Sequence, residues 1–118
     1  MSQGVSDYRL IVTDVIPDLK EVRLYEDTVQ HIRDAHPEIP ILLPAVQSAV
    51  ERAISHPTHV EVSYGGSYVF VDGNSTNRAG DPLRVPVKPI GGKSGRVRTA
   101  YFATTAATAN IIWKRTDE

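Results

Sequence analysis

The chain contains no cysteine. Disulfides and thiolate metal sites are therefore excluded, while the compartment is left open. Long apolar runs are also missing, and nothing approaches the roughly 20 apolar residues of a membrane-spanning helix. The start, Met1-Ser2-Gln3-Gly4-Val5-Ser6, lacks the basic head and apolar run of a secretory signal. These absences imply a cytoplasmic protein with no membrane partner. An excess of charge is lacking too: thirteen Lys and Arg stand against fourteen Asp and Glu, a formal net charge of -1. Nucleic-acid binders are more often strongly basic, so this balance argues against one unless cations cluster locally.

What is present fits one domain spanning residues 1–118, with 1–6 as a loose end. Short strands are expected over 8–12 and 21–25, separated by a turn at Pro17-Asp18. Asp27, with Gln30 three residues later, forms a capping-box pattern for a helix over 28–36. Pro37 disfavours helical geometry at His36 and ends it. On that helix Val29, Ile32, Ala35 and His36 share one side, and His31 lies on the flank. A second helix is expected over 44–55, with Pro44 in its first turn and an apolar stripe of Leu43, Val46, Ala49, Val50, Ala53 and Ile54.

The remainder reads as β. Segments 59–64 and 67–72 flank Gly65-Gly66, a hairpin signal. Residues 72–81 form a polar loop, and 83–88 a strand whose Pro86 belongs at an edge or a bulge. The longest strand covers 96–103, and a last one 110–114. The expected fold is α+β: two N-terminal helices packed on one face of a twisted, mainly antiparallel sheet of about four strands.

Candidate chemistry centres on His31-Ile32-Arg33-Asp34-Ala35-His36-Pro37-Glu38 and on Arg96-Val97-Arg98-Thr99-Ala100-Tyr101-Phe102. Alternation puts Arg84 and Lys88 on one side of their strand, opposite Leu83, Val85 and Val87. Arg96 and Arg98 likewise share a face, opposite Val97, Thr99 and Tyr101. If the valines turn toward the helices, four cations cover the other sheet face and can grip phosphates. The plain alternative is a solvated face that keeps strand edges soluble.

His31 and His36 are five residues apart, about 140° around a helix. They cannot act as the i, i+4 chelating pair of a zinc protease, so no metal is expected. Imidazole suits general acid–base work near neutrality. His31 on the flank is the freer candidate, while His36 on the apolar side reads as a half-buried, hydrogen-bonded structural residue. His56 and His59 read as ordinary surface residues. Gly91-Gly92-Lys93-Ser94 mimics the end of a P-loop, but Val87 stands where the first glycine is required.

The H-I-R-x-x-H-P-E stretch at 31–38, the strand over 83–88 and Arg96-Val97-Arg98-Thr99-Ala100-Tyr101 together resemble the phage and polymorphic-toxin branch of the barnase–EndoU–colicin–RelE-like (BECR) nuclease superfamily. The resemblance spans about 21–114. It implies N-terminal helices on a four-stranded sheet and metal-independent, cofactor-free RNA cleavage by 2′-hydroxyl attack. It implies RNA as substrate and a cognate inhibitor or immunity protein as partner. Carried over, it makes His31 or His36 the acid or base, Lys88 and Arg98 the phosphate clamps, and Thr99 and Tyr101 phosphate or base contacts. Arg84 and Arg96 would add nucleic-acid contacts. Strict alternation opposes part of this, because it separates Thr99 and Tyr101 from Arg98 unless a bulge intervenes. Two other readings stay open: a non-catalytic RNA- or protein-binding domain, and a phage structural subunit that assembles through exposed strand edges.

Overall fold

The computed structural model of the chain describes residues 7–63 and 65–116. The expected loose end at 1–6 and Tyr64 lie outside the described residues. The strands expected over 8–12 and 21–25 form, longer than expected, and pair as a hairpin about the Pro17-Asp18 turn: β1 (Tyr8–Ile16) lies antiparallel to β2 (Leu19–Tyr25). Alternation, reset by a register shift between Val12 and Ile16, turns Ile11, Ile16, Leu19, Val22 and Leu24 inward, where all are buried.

Helix α1 (Glu26–Ala35) follows β2 directly. Its N-cap is Tyr25, in extended conformation and with no side-chain cap bond, so the capping box expected at Asp27 does not form. Glu26 and Asp27 instead occupy the first turn, where their charge suits the helix dipole. The helix stops before Pro37 as expected, with the His36 N–H donating to Ile32 O at 2.9 Å. Val29 and Ile32 are buried and His36 is half-buried, but Ala35 is exposed. A short α2 (Glu38–Leu42) comes next, unforeseen because Pro37, Pro40 and Pro44 suggest irregular chain. A helix's first turn needs no internal N–H donors, so Pro40 is tolerated there. Helix α3 (Val46–Ser55) buries Val46, Ala49, Val50, Ala53 and Ile54 of the expected stripe, while Leu43 caps α2 half-buried and Pro44 lies before the helix rather than in its first turn. It packs on β1, where the Thr13 hydroxyl donates to Ile54 O at 2.9 Å and Arg9 pairs with Glu51 at 2.9 Å.

The later strands are β3 (His59–Val62), β4 (Tyr68–Thr76), β5 (Pro82–Gly91), β6 (Ser94–Val97), β7 (Tyr101–Phe102) and β8 (Asn110–Lys114). They join the hairpin in one eight-stranded sheet, ordered β1-β2-β6-β5-β4-β3-β8, with β7 also on β5. The β2–β6 pairing is parallel, so the sheet is mixed and curled. This overturns the expected two helices on a four-stranded sheet. The N-terminal hairpin supplies core rather than periphery. The polar 72–76 stretch continues β4, and the glycine-rich connection after Pro89 is a tight turn inside the sheet, with Gly91, Gly92 and Lys93 at positive φ. Gly95 must be glycine: a Cβ there would lie 2.8 Å from Val87 Cγ1 and 3.1 Å from both Leu19 Cδ2 and Lys88 O. Among the described residues no helix is long and apolar enough to cross a membrane.

One face of the sheet carries the helices and the core, including Val60, Phe70, Leu83, Val85, Val87 and Val97. The other is here called the outer face.

Candidate functional site

The expected long strand over 96–103 is broken at 98–100, and the break decides what the outer face displays. Val87 stands opposite Val97, and both point into the core. Regular pairing from there would put Ala100 opposite Arg84. Tyr101 is found there instead, with Phe102 opposite Leu83. One extra residue is accommodated between β6 and β7, a β-bulge that reverses the side-chain alternation beyond it. Directly opposed residues share a face, so Tyr101 joins Arg84 and Lys88 on the outer face. Arg96, opposite Lys88, is there as well. The Arg98 N–H donates to Pro86 O at 2.9 Å. Proline cannot return that bond, so the ladder is weakest at the bulge, one of the two settings expected for Pro86.

Arg98 and Tyr101 lie on either side of this bulge; α1 packs on the core face through Val29 and Ile32, and where the strand is broken its Thr28 and His36 reach residues of the outer face. Near the start of α1, Thr28 lines a groove of about 380 Å³ with Lys88, Arg96 and Arg98. At the far end of α1, the His36 ring centre lies 6.0 Å from that of Tyr101. His31 is edge-on to His36 with ring centres 6.2 Å apart. Thr28 and His36 are eight residues apart, about 12 Å along a helix. The structure thus groups Lys88, Arg96 and Arg98 in a groove near the start of α1, and His31, His36 and Tyr101 about the end of that helix. His36 is half-buried, against Tyr101.

Thr99 does not join them by any hydrogen bond. It sits in the strand break, and its hydroxyl is buried without a partner. Arg84 is on the expected face, but its charge is already taken. It donates to both Glu61 oxygens, at 2.7 and 3.0 Å, and its side chain is 11% exposed. His59 Nε2 donates to the same carboxylate at 2.7 Å. Burial pushes the Glu61 carboxyl up, but the bonds from Arg84 and His59 outweigh it and hold it below the ordinary carboxylate range. Burial likewise works against the Arg84 charge, and Glu61 with the Tyr101 hydroxyl holds it above the usual guanidinium value.

This network has a structural task. Residues 103–109 must carry the chain from β7, beside β5, across the outer face to β8, beside β3. Thr105 in that crossing accepts from Arg84 at 3.2 Å and lies 3.4 Å from the His59 ring nitrogen. His59, expected as an ordinary surface residue, is therefore a half-buried part of the pin. A larger cavity of about 570 Å³ lies between β3 and this crossing. Its lining includes Glu61, Ser63 and Asn110 but no cation, which sets it apart from the groove.

Comparison with protein-family models, curated proteins and solved structures finds no match. The functional reading therefore stands on the residues themselves. Thr28, His59 and Glu61 were missed from sequence. The His59-x-Glu61 alternation was visible, but the register that brings Arg84 to it was not.

Proposed function

We propose that the chain is a small metal-independent endoribonuclease that cleaves RNA through attack of the ribose 2′-hydroxyl on the adjacent phosphate. The observation that carries this reading is the bulge between β6 and β7. It puts Tyr101 on the same face as Lys88, Arg96 and Arg98, and against His36. Two neighbouring imidazoles suit the two proton transfers. One takes the 2′-hydroxyl proton as that oxygen bonds to phosphorus, and the other gives a proton to the 5′-oxygen as its bond to phosphorus breaks. The product ends are a 2′,3′-cyclic phosphate and a 5′-hydroxyl. We assign the transfers to His31 and His36, with half-buried His36 and Tyr101 framing the reacting phosphate. Of the groove cations, Arg98 adjoins the strand break after Val97 and is assigned to stabilise charge on the phosphoryl oxygens. Lys88 and Arg96 hold neighbouring phosphates.

The resemblance to the BECR nucleases points the same way and extends the proposal to a toxin-like role with an inhibitor protein as partner. Its implied four-stranded fold is not the observed one, so the proposal rests on these side chains. One observation favours a second reading, a non-catalytic RNA-binding domain using the same cations. Neither the His31 ring nor the His36 ring has a hydrogen-bond partner among the described residues, whereas a catalytic base is ordinarily oriented by a third group.

A labelled oligoribonucleotide incubated with purified protein in EDTA separates these readings. Cleavage that falls about 100-fold or more in His36→Ala supports the enzyme, given what general acid–base groups contribute. Binding without cleavage at saturating protein supports the second reading. Absence of both contradicts each.

A further inference from the structure

The outer face continues past the groove, across β6, β2 and β1, and carries residues used by neither the core nor that groove. Arg96 stands opposite Lys88 on one side and opposite Arg23 on the other. Its guanidinium lies 5.0 Å from the centre of the Tyr25 ring. Tyr25 stands opposite Tyr8, with ring centres 5.1 Å apart. Arg23 closes the pattern: its guanidinium lies 5.0 Å from the Tyr8 ring centre and donates to the Tyr25 hydroxyl at 3.3 Å. Tyr8 is 46% exposed, although nearby Ile11, Val22 and Leu24 are buried. The hairpin alternation thus sends Ile11, Val22 and Leu24 inward and leaves Tyr8, Leu10 and Val12 exposed on the other face, with Arg23 and Tyr25 half-buried beside them.

We infer that the Tyr8–Arg23–Tyr25 row is a stacking platform for unpaired bases of a single-stranded RNA whose backbone lies on Lys88, Arg96 and Arg98. The inference rests on the proposed function and names its substrate class. Three features select a single strand. Aromatic rings and arginine planes stack on exposed base faces, which a duplex hides within its own stack. The platform is continuous with the cation groove through the Arg96–Lys88 pair, so phosphates and bases can be held side by side. Ring–guanidinium contacts hold the arginines in place, which lowers the ordering cost on binding. Glu21 shares this face two residues before Arg23 and repels phosphate, so the backbone runs on the Arg96–Lys88 side.

The test uses a fluorescent, 2′-O-methylated RNA strand, which cannot be cleaved by 2′-attack, alone and annealed to its complement. Anisotropy is read with wild type, Tyr8→Leu, Tyr25→Leu and the double variant. Stacking contributions imply that the double variant loses about tenfold or more in single-strand affinity, with duplex affinity within about twofold. Unchanged single-strand affinity overturns the platform. So does wild type binding duplex as tightly as single strand. If Lys88→Ala and Arg98→Ala weaken binding while the tyrosine variants do not, the platform fails and the groove reading stands. No binding of either RNA by wild type overturns both. Should the leucine variants fail to fold, photocrosslinking of a 4-thiouridine-labelled strand to wild type decides. Adducts on Tyr8 or Tyr25 support the platform, and adducts confined elsewhere overturn it.

Discussion

Arg84→Met removes a guanidinium from the most buried ion pair on the outer face. The side chains of Glu61 and Arg84 are 6% and 11% exposed, and two hydrogen bonds of 2.7 and 3.0 Å join them. Methionine keeps the stem, so the loss is electrostatic. It leaves the Glu61 carboxylate buried with His59 and Thr105 as its remaining partners. Breaking a buried pair on one side costs about 3–5 kcal/mol. At roughly 4 °C per kcal/mol for a domain of this size, that is a fall of about 12–20 °C in Tm. The double change Glu61→Met/Arg84→Met leaves no stranded charge and should lie within about 2 kcal/mol of wild type. The pH dependence adds an independent check. The Glu61 carboxyl is held low in the folded protein, so its stabilisation is present above the ordinary carboxylate pKa and is lost as pH falls through its depressed value. In Arg84→Met only His59 and Thr105 remain to hold the carboxyl down against burial, so it rises relative to wild type and acid relieves part of the penalty. The stability gap between wild type and Arg84→Met should therefore narrow from pH ~7 to pH ~4. Urea denaturation followed by fluorescence of Trp113, which packs against the core, measures all of this. A single-variant loss under about 1 kcal/mol, or a double variant equal to the sum of the singles, would refute the reasoning.

Other outcomes follow from the same geometry. Gly95→Ala should destabilise by about 1–3 kcal/mol in denaturant melts, since the new methyl meets Val87, Leu19 and the Lys88 carbonyl at once. Thr99→Val removes a buried hydroxyl that has no partner. It should leave stability unchanged or raise it by about 1 kcal/mol, and should leave RNA cleavage within about twofold; a large loss would return Thr99 to the site. Three groove cations, Lys88, Arg96 and Arg98, imply that log affinity for single-stranded RNA falls with log salt at a slope of about -2, reduced by about 0.7 in Arg98→Ala. A slope near zero in fluorescence titrations would contradict the phosphate contacts.

Local patterns were legible in the sequence wherever short-range physics decided them. The His36-Pro37 stop, the α3 stripe and the inward valines of β5 all appear as read. Long-range pairing was not legible. Nothing local says that β2 lies parallel to β6, or that the polar residues 72–76 continue a strand rather than loop out. The Asp27 capping box failed because β2 runs straight into α1 and makes Tyr25 the cap. The site was half visible. Lys88, Arg96 and Arg98 share a face as alternation required, while Tyr101 joins them through one extra residue that the sequence does not mark. Arg84 looked free because its partner, Glu61, lies 23 residues away.

The central claim is 2′-hydroxyl attack where α1 meets the β6–β7 bulge. It is tested most directly with a DNA oligonucleotide carrying a single ribonucleotide, incubated with wild-type protein in EDTA and analysed by mass spectrometry. The expected result is cleavage after the ribonucleotide alone, leaving a 2′,3′-cyclic phosphate and a 5′-hydroxyl, and its loss in His36→Ala. An intact oligonucleotide at protein concentrations that bind it, or cuts at the deoxy positions, would contradict the claim.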